Sequence, residues 1–343
     1  MTTAPLRPRR RARSSLLAAL ASALVLLAAL LLAPSVGAAR VSSKPRAHGA
    51  SSYLVGIGDE HPAMFSDPLY RQLHTKIARL IVAYDVVAHP YFLNQAYTWI
   101  HDAEAEHVQV LVAFYHSEYS ATRMPSVALY QHDVQKFLKL FPNVKQYQSW
   151  DEANRGNVAH AFSSPSAALA ARYYQALLRV CKRCTVLGLD VLDAANIGPT
   201  LEYIHEFKRE IGRLRTVMPK YWGLHNYSDV NRFESWRTRE IAEALGGQVW
   251  LTETGGIVQF GPSFRNRHGS GLARAAQALK YMFSLASGSS RVKRLYIFDW
   301  TGGVASTRFD AGLMDSRYKP RRGYMVVCRQ LHAARCAVHT SNR

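Results

Sequence analysis

The repeating order of apolar segments constrains the fold of this chain more than any other feature. From Tyr53 onward, short apolar runs alternate with longer segments of helical spacing, and the unit recurs eight times. The predicted strands are 53–58, 77–85, 108–115, 144–150, 185–193, 220–227, 248–255 and 292–300. A predicted helix follows each strand. This alternation indicates crossover connections between parallel strands.

Eight strand–helix units over roughly 290 residues are typical of a single-domain α/β fold, the (β/α)8 or TIM barrel. A doubly wound open sheet is the alternative, and it usually carries a glycine-rich turn after the first strand. The first turn here reads GIGDEHP, which is acidic and lacks the third glycine. We therefore predict a (β/α)8 barrel over 53–343.

The N-terminal segment predicts export. Residues 1–38 combine an arginine-rich head, an uncharged apolar run over 16–33 and small residues before Ala38. This pattern is typical of a secretory signal peptide, with cleavage predicted after Ala38. The apolar run is also long enough to span a bilayer, so an uncleaved membrane anchor through 16–33 is the alternative. Residues 39–52 are polar and small, and we interpret them as a linker.

The charge balance is strongly basic, with 43 Lys and Arg against 24 Asp and Glu and a formal net charge of +19. The basic residues are scattered, and only 291–294 and 318–323 are locally dense. The sequence contains no recognisable nucleic-acid-binding motif, so we expect no nucleic acid partner. A basic surface on an exported protein could instead bind an anionic cell-surface polymer.

The chain has four cysteines, which are Cys181, Cys184, Cys328 and Cys336. In an exported protein they predict two disulfides, and local pairing is the simplest of three connectivities. The CKRC segment also fits a redox pair, but it ends a helical stretch rather than opening one. A zinc site would require the two pairs to come together, and we do not favour it.

Acidic and aromatic residues predominate where the predicted strands end, and barrel enzymes carry their chemistry at these carboxyl ends. Glu152 follows the fourth strand and Glu253 ends the seventh, so the two can face each other across the barrel mouth. Two carboxylates with aromatic platforms are what glycoside hydrolysis requires. Asp190, Asp193 and Asp299 lack the clustered spacing of metal ligands. We therefore predict no metal or other cofactor.

Six segments in fixed order carry a family resemblance. They are IARLIVAYD, SWDEAN, HNY, VWLTETG, FDWTGG and DAGLMDSRYKPRRGY. Their order and spacing resemble clan A retaining glycoside hydrolases, including families 39, 5 and 128. In that clan the fourth strand ends in Asn-Glu, commonly within W-N-E-P-N, and the seventh carries a glutamate nucleophile. The resemblance implies that Glu152 is the general acid/base and Glu253 the nucleophile.

The same resemblance implies substrate-binding or supporting roles for other residues. Arg79 matches the second-strand arginine that supports the nucleophile. His225 and Tyr227 match the sixth-strand segment, and Trp300 matches the tryptophan that lines the sugar site. Asn154 matches the last Asn of the fourth-strand motif.

Two positions depart from the clan pattern. Asp151 stands where the clan has an Asn that donates to the sugar 2-hydroxyl, and Ala153 stands where it has Pro. An ionised Asp can only accept a hydrogen bond. We expect the adjacent charge of Asp151 to raise the pKa of Glu152, which would suit a general acid. Asp151 could instead mark a different sugar or a loss of efficient catalysis.

Together these features predict a secreted or extracellular, monomeric glycoside hydrolase acting on an oligo- or polysaccharide. One alternative is a non-catalytic carbohydrate- or cell-wall-binding barrel, which would keep the aromatics and tolerate Asp151. Another is a polyanion-binding surface protein, whose binding would weaken steeply with salt.

Overall fold

The computed structural model describes residues 53–156, 164–261, 271–304, 306–331 and 336. All of them belong to one compact unit, Ala50–Arg343. The predicted signal peptide or anchor and the predicted linker lie outside the described residues. Within the described part of the chain, every helix is too short or too polar to cross a bilayer.

A parallel sheet of nine strands forms the centre of the fold, in the order β5-β4-β3-β2-β1-β10-β8-β7-β6. Its members are β1 (Leu54–Gly58), β2 (Ile77–Ala83), β3 (Gln109–Tyr115), β4 (Gln146–Gln148), β5 (Thr185–Leu187), β6 (Asp190–Leu192), β7 (Tyr221–His225), β8 (Gln248–Thr254) and β10 (Val292–Phe298). A separate antiparallel pair joins β9 (Gln259–Phe260) to β11 (Phe309–Asp310).

The sheet closes on itself because β5 and β6 are two halves of one barrel strand. β5 pairs with β4, and β6 pairs with β7. The two residues between β5 and β6 also pair with β7. The Gly188 amide donates to the Tyr221 carbonyl at 2.9 Å, and the Gly223 amide donates to the Leu189 carbonyl at 2.7 Å. Counting the two halves as one strand leaves eight strands in a ring. The predicted (β/α)8 barrel is confirmed.

Helices follow the barrel strands around the outside. They are α1 (Ala63–Ser66), α2 (Pro68–Gln72), α3 (Pro90–Ala105), α4 (Val127–Leu140), α5 (Ala167–Val180), α6 (Gly198–Arg213), α7 (Tyr227–Arg232), α8 (Trp236–Leu245), α9 (Gly271–Ser287) and α10 (Arg322–Leu331). The hydroxyls of Ser126 and Ser166 accept hydrogen bonds from amides in the first turns of α4 and α5. These N-caps fix where the two helices begin.

Two apolar cores hold the barrel. The larger packs the outer faces of the strands against the helices. The smaller fills the barrel interior and consists of Ile77, Leu111, Leu187, Trp250 and Tyr296. Because side chains alternate along a strand, the residues two positions further point into the same interior, nearer the strand ends. The interior therefore continues from this apolar layer into the candidate site.

Cysteine pairs lie at disulfide distance in both predicted places. Cys181 is joined to Cys184 with a Cα separation of 5.5 Å, and Cys328 to Cys336 with 5.8 Å. This local pairing agrees with the simplest of the three predicted connectivities. Cys328 lies on α10, so the second bridge ties the end of the last described helix to the chain beyond it.

Candidate active site

Arg79, on β2, is the central cation of the site. Its Nη1 donates to Glu253 Oε1 at 2.8 Å, its Nε to Gln148 Oε1 at 2.7 Å and its Nη2 to Asp190 Oδ2 at 2.9 Å. Nη2 also donates to Asp151 Oδ1. Although burial opposes the charge, the carboxylates of Asp151, Asp190 and Glu253 raise the pKa of Arg79. One permanent cation thus links strands from both halves of the barrel.

His225, at the end of β7, is the second buried cation. Its Nε2 lies 3.0 Å from Asp190 Oδ2, and its Nδ1 lies 3.2 Å from Glu152 Oε1. Burial lowers the pKa of His225, but the charges of Asp190 and Glu253 outweigh it and hold the pKa well above its usual range. A protonated imidazole can donate from both nitrogens, so His225 can hold Asp190 and Glu152 together.

The two predicted catalytic carboxylates meet at this imidazole. His225 Nδ1 lies 3.2 Å from Glu152 Oε1 and 3.6 Å from Glu253 Oε2. The two oxygens can be no farther apart than the sum of these distances, about 7 Å, which is within the range of glycosidase carboxylate pairs. Tyr227 donates to Glu253 Oε2 at 3.3 Å. Burial and the charge of Glu253 raise the pKa of Tyr227, so the phenol stays a donor.

Glu152 occupies an unusual backbone conformation, with φ of 42°. Burial alone would raise the pKa of Glu152, but the hydrogen bond and charge of His225 outweigh it, and the charge of Arg155 lowers it further. Arg155 Nη1 donates to Glu152 Oε2 at 2.5 Å. Glu152 therefore ionises more readily than an ordinary glutamate.

Asp151 has the opposite electrostatics. Burial raises the pKa of Asp151 to about 8, because the charge of Arg79 offsets the loss of water only in part and Glu253 adds to the rise. The expectation that Asp151 would raise the pKa of Glu152 was wrong. The charges of His225 and Arg155 decide the ionisation of Glu152. Of the adjacent carboxyl groups Asp151 and Glu152, Asp151 keeps its proton to higher pH.

Two further acids lie around the same mouth. Loss of water around the carboxyl group and the charges of Asp59 and Glu253 raise the pKa of Glu60 well above its usual range, although the residue as a whole is exposed to solvent. Burial and the charges of Asp59 and Glu60 likewise raise the pKa of Asp299. Oδ1 of Asp299 is buried and has no hydrogen-bond partner among the described residues. The mouth is therefore acidic, although the chain as a whole is basic.

Sequence reasoning missed the polar support beneath the carboxylates. Thr252 Oγ1 donates to Asp190 Oδ1 at 2.5 Å, and Gln148 accepts from Arg79. Gly223 leaves room for this network, because a Cβ there would lie 2.2 Å from Asp190 Oδ1. The available signal was a polar residue at a buried strand position, as at Gln148 on β4 and Thr252 on β8.

Two predicted substrate-binding residues make their contacts elsewhere. Asn154 Nδ2 donates to the Leu192 carbonyl and to Thr200 Oγ1, both at 2.9 Å, which ties the chain after β4 to β6. Trp300 is fully buried, and its Nε1 donates to Asp67 Oδ2 at 3.2 Å. In this structure neither side chain joins the cluster around Arg79.

Among the residues that the structure describes, one group of side chains has the composition of a metal site. Single ligand atoms of Asp151, His225 and Glu253 lie within 4.8 Å of one another. Arg79 already donates to both carboxylates, and its permanent positive charge would repel a metal ion placed between them. The donor set therefore fits a cluster neutralised by arginine and histidine better than a metal site.

The barrel of this chain is similar to those of solved glycoside hydrolase structures. The chain resembles GH10 from Paenibacillus barcinonensis, with a TM-score of 0.58 and 11% identity over 82% of this chain and 95% of that one. It also resembles GH5_18 from Streptomyces cattleya, solved in complex with GlcNAc, with a TM-score of 0.57 and 14% identity. That match covers 84% of this chain and 82% of the other. At such low sequence identity, the structural similarity shows a shared fold.

A family 39 glycoside hydrolase from the gut symbiont Bacteroides cellulosilyticus WH2 is similar as well, with a TM-score of 0.51 and 16% identity. The match covers 81% of this chain but only 63% of that enzyme. No protein-family model and no curated protein sequence matches the chain. The fold is thus the (β/α)8 barrel of glycoside hydrolase structures, as the clan A resemblance predicts.

Proposed function

We propose that this protein is an exported retaining glycoside hydrolase that cleaves O-glycosidic bonds of an oligo- or polysaccharide. The observation that carries the proposal is the meeting of Glu152 and Glu253, from opposite sides of the barrel mouth, at one buried imidazole. Glycosidases place two carboxyl groups at such a distance on either side of the scissile bond.

Glu253 is the proposed nucleophile. Arg79 and Tyr227 donate to different oxygens of its carboxylate, which orients the group and favours its charged form. Attack on the anomeric carbon would form a glycosyl ester and break the bond to the leaving oxygen. No cofactor takes part in this reaction.

Glu152 is the proposed acid/base. It would give its proton to the leaving oxygen in the first step and take a proton from the attacking water in the second. His225 and Arg155 lower the pKa of Glu152. The proton that the first step needs is therefore present only at lower pH than for an ordinary glutamate. We therefore expect the first step to be fastest under acidic conditions.

Export is part of the proposal. Two local cysteine pairs at disulfide distance are compatible with an oxidising, extracellular environment. The basic and apolar pattern of 1–38 supports the same location, either as a cleaved signal peptide or as an anchor through 16–33.

A panel of 2-fluoro-glycosyl inactivators tests the mechanism, with intact mass and peptide mapping as the readout. We expect a covalent adduct on Glu253, and no adduct on the Glu253→Gln variant under the same conditions. Binding of glycans without turnover or adduct would instead favour the non-catalytic carbohydrate-binding barrel. Binding that disappears steeply with added salt would favour a polyanion-binding protein.

A further inference from the structure

Helix α7 carries the phenol that donates to Glu253, but the helix is too short to fix its own position. It runs from Tyr227 to Arg232, and Tyr227 is its first residue. Isolated helices shorter than about 12 residues are only marginally stable in water. The placement of α7 therefore depends on contacts with the rest of the protein, and Tyr227 can donate to the nucleophile only while these contacts hold.

Asp193 holds the beginning of α7. Its Oδ1 accepts from the Ser228 amide at 2.9 Å, and its Oδ2 accepts from the Asp229 amide at 3.1 Å. These bonds satisfy two amides of the first helical turn, which have no partner within the helix. Asp193 follows β6, so this contact connects α7 to β6 and leaves open what connects it to β8, the strand that carries Glu253.

Asn231 supplies the connection to the chain after β8. Its Nδ2 donates to the Tyr227 carbonyl at 3.0 Å and to the Gly255 carbonyl at 2.9 Å, and its Oδ1 accepts from the Ile257 amide at 2.8 Å. Asn231 is only 4% exposed. Gly255 lies two residues after Glu253. One buried side-chain amide thus joins the backbone of the phenol donor to the backbone that follows the nucleophile.

The side-chain amide is matched to these three partners. The two carbonyls require donors and the Ile257 amide requires an acceptor, and the amide of Asn or Gln offers both from one planar group. The segment it binds has little room to move, because a Cβ at Gly255 would lie 2.7 Å from the Phe298 carbonyl oxygen. A carboxylate of the same shape as Asn231 would instead place an acceptor against two carbonyl oxygens.

We propose that Asn231 is a positioning residue for catalysis, which sets the distance between the Tyr227 hydroxyl and the Glu253 carboxylate. This inference rests on the proposed function and extends it to a residue outside the carboxylate cluster. The hydroxyl lies 3.3 Å from Glu253 Oε2, which is already longer than a typical O–H···O bond. A small outward shift of α7 would therefore break the bond and remove a donor that favours the charged nucleophile.

A double-mutant cycle tests the proposal, with Asn231→Asp, Tyr227→Phe and the double variant measured on an aryl glycoside. We expect each single variant to lower kcat about 10- to 100-fold, the usual effect of losing a hydrogen bond to a charged group, while KM changes less. The double variant should lose little more than either single variant, because both substitutions remove the same hydrogen bond. Losses that multiply would show that Asn231 acts independently of Tyr227 and would overturn the inference.

The acidic limb of the kcat/KM profile separates positioning from general damage to the fold. In Asn231→Asp the limb should move to higher pH, as in Tyr227→Phe, because Glu253 loses a donor that favours its charged form. The basic limb, which reports Glu152, should stay in place. An unmoved acidic limb in a folded Asn231→Asp protein contradicts the inference. Asn94→Asp, an identical change at an exposed position of α3, should keep the wild-type rate and profile.

Two further outcomes are decisive. If Asn231→Asp does not fold, Asn231→Ala, which introduces no charge, enters the same cycle with the same expectations. Multiplied losses in either cycle overturn the role of Asn231 and leave the proposed function intact. Failure of the wild type to turn over any glycoside, with no adduct from any inactivator, would overturn the proposed function and this inference with it.

Discussion

The barrel interior has two layers that differ sharply in chemistry although the same strands build them. Ile77 on β2 and Trp250 on β8 belong to the apolar layer. Two residues further along the same strands, Arg79 and Thr252 belong to the polar layer around the carboxylates. On each of these strands, one inward-facing residue packs in the apolar layer, and the next inward-facing residue belongs to the candidate active site.

The two layers stabilise the fold to different degrees. Burying a large apolar side chain contributes roughly 1.5–3 kcal/mol. Burying charges is costly even when they are paired, and such clusters are often neutral or unfavourable for stability. Arg79 and its carboxylate partners are therefore better explained by function than by stability. Substitutions in the apolar layer should reduce stability, whereas substitutions in the polar layer should reduce activity.

The largest expected effect is on Glu253. In Glu253→Gln we expect activity to fall roughly 100,000-fold, because loss of a nucleophile removes the covalent step. Turnover of an aryl glycoside measures the change, and thermal unfolding checks the fold. Arg79 keeps Asp151 and Asp190 as partners, so the melting temperature should change less than for a large-to-small change in the apolar layer. A variant as active as the wild type would remove Glu253 from the mechanism.

Glu152→Gln should reduce kcat/KM by about 100- to 10,000-fold, the usual contribution of general acid–base catalysis. A substrate with a strongly acidic leaving group should lose less, because its departure needs little protonation. Added azide should restore turnover by replacing the water that Glu152 would activate. Glu118→Gln, an exposed strand-end glutamate, is the matched control and should remain active. Equal losses for good and poor leaving groups would argue against an acid role.

The apolar layer gives the converse prediction. Leu111 is fully buried on β3, and Leu111→Ala should lower the free energy of unfolding by about 2–5 kcal/mol. Denaturant unfolding measures this loss, with Leu129→Ala as the control because Leu129 is 46% exposed on α4. The folded fraction should react with an inactivator at nearly the wild-type rate. A large loss of that rate would show that the two layers are coupled.

Strand order was predictable from the sequence because each barrel strand is a short apolar run followed by a helical pattern. The predicted strand over 185–193 covers both β5 and β6, so the break at Gly188 was not foreseen. The pair β9–β11 was also missed, since two residues per strand leave no periodic signal. Local pattern thus predicts the barrel but not its irregularities.

The site was predictable to the extent that strand ends supply its residues. Four predicted residues beside Glu152 and Glu253 belong to this cluster: Arg79, Asp151, His225 and Tyr227. Asn154 and Trp300 satisfy their polar atoms elsewhere. The ionisation of Glu152 was not predictable from the sequence. Its pKa depends on contacts with His225 and Arg155 in the folded protein, whereas the sequence shows only that Asp151 is adjacent.

The smallest predicted effect concerns Arg155, whose charge lowers the pKa of Glu152 from the edge of the polar layer. In Arg155→Gln the pKa of Glu152 should rise, so the protonated acid persists to higher pH. The basic limb of the kcat/KM profile should therefore move to higher pH, while the acidic limb, which reports the nucleophile, should move less.

A matched arginine separates this effect from a general loss of positive charge. Arg172→Gln, on α5, removes an arginine that pairs with Glu210 at 3.4 Å and should leave the pH profile unchanged. Because the Arg155 side chain is 44% exposed, added salt should screen its charge and move the wild-type limb in the same direction as the substitution. If the limb stays in place in both experiments, then His225 alone sets the ionisation of Glu152, and the edge of the polar layer contributes nothing to it.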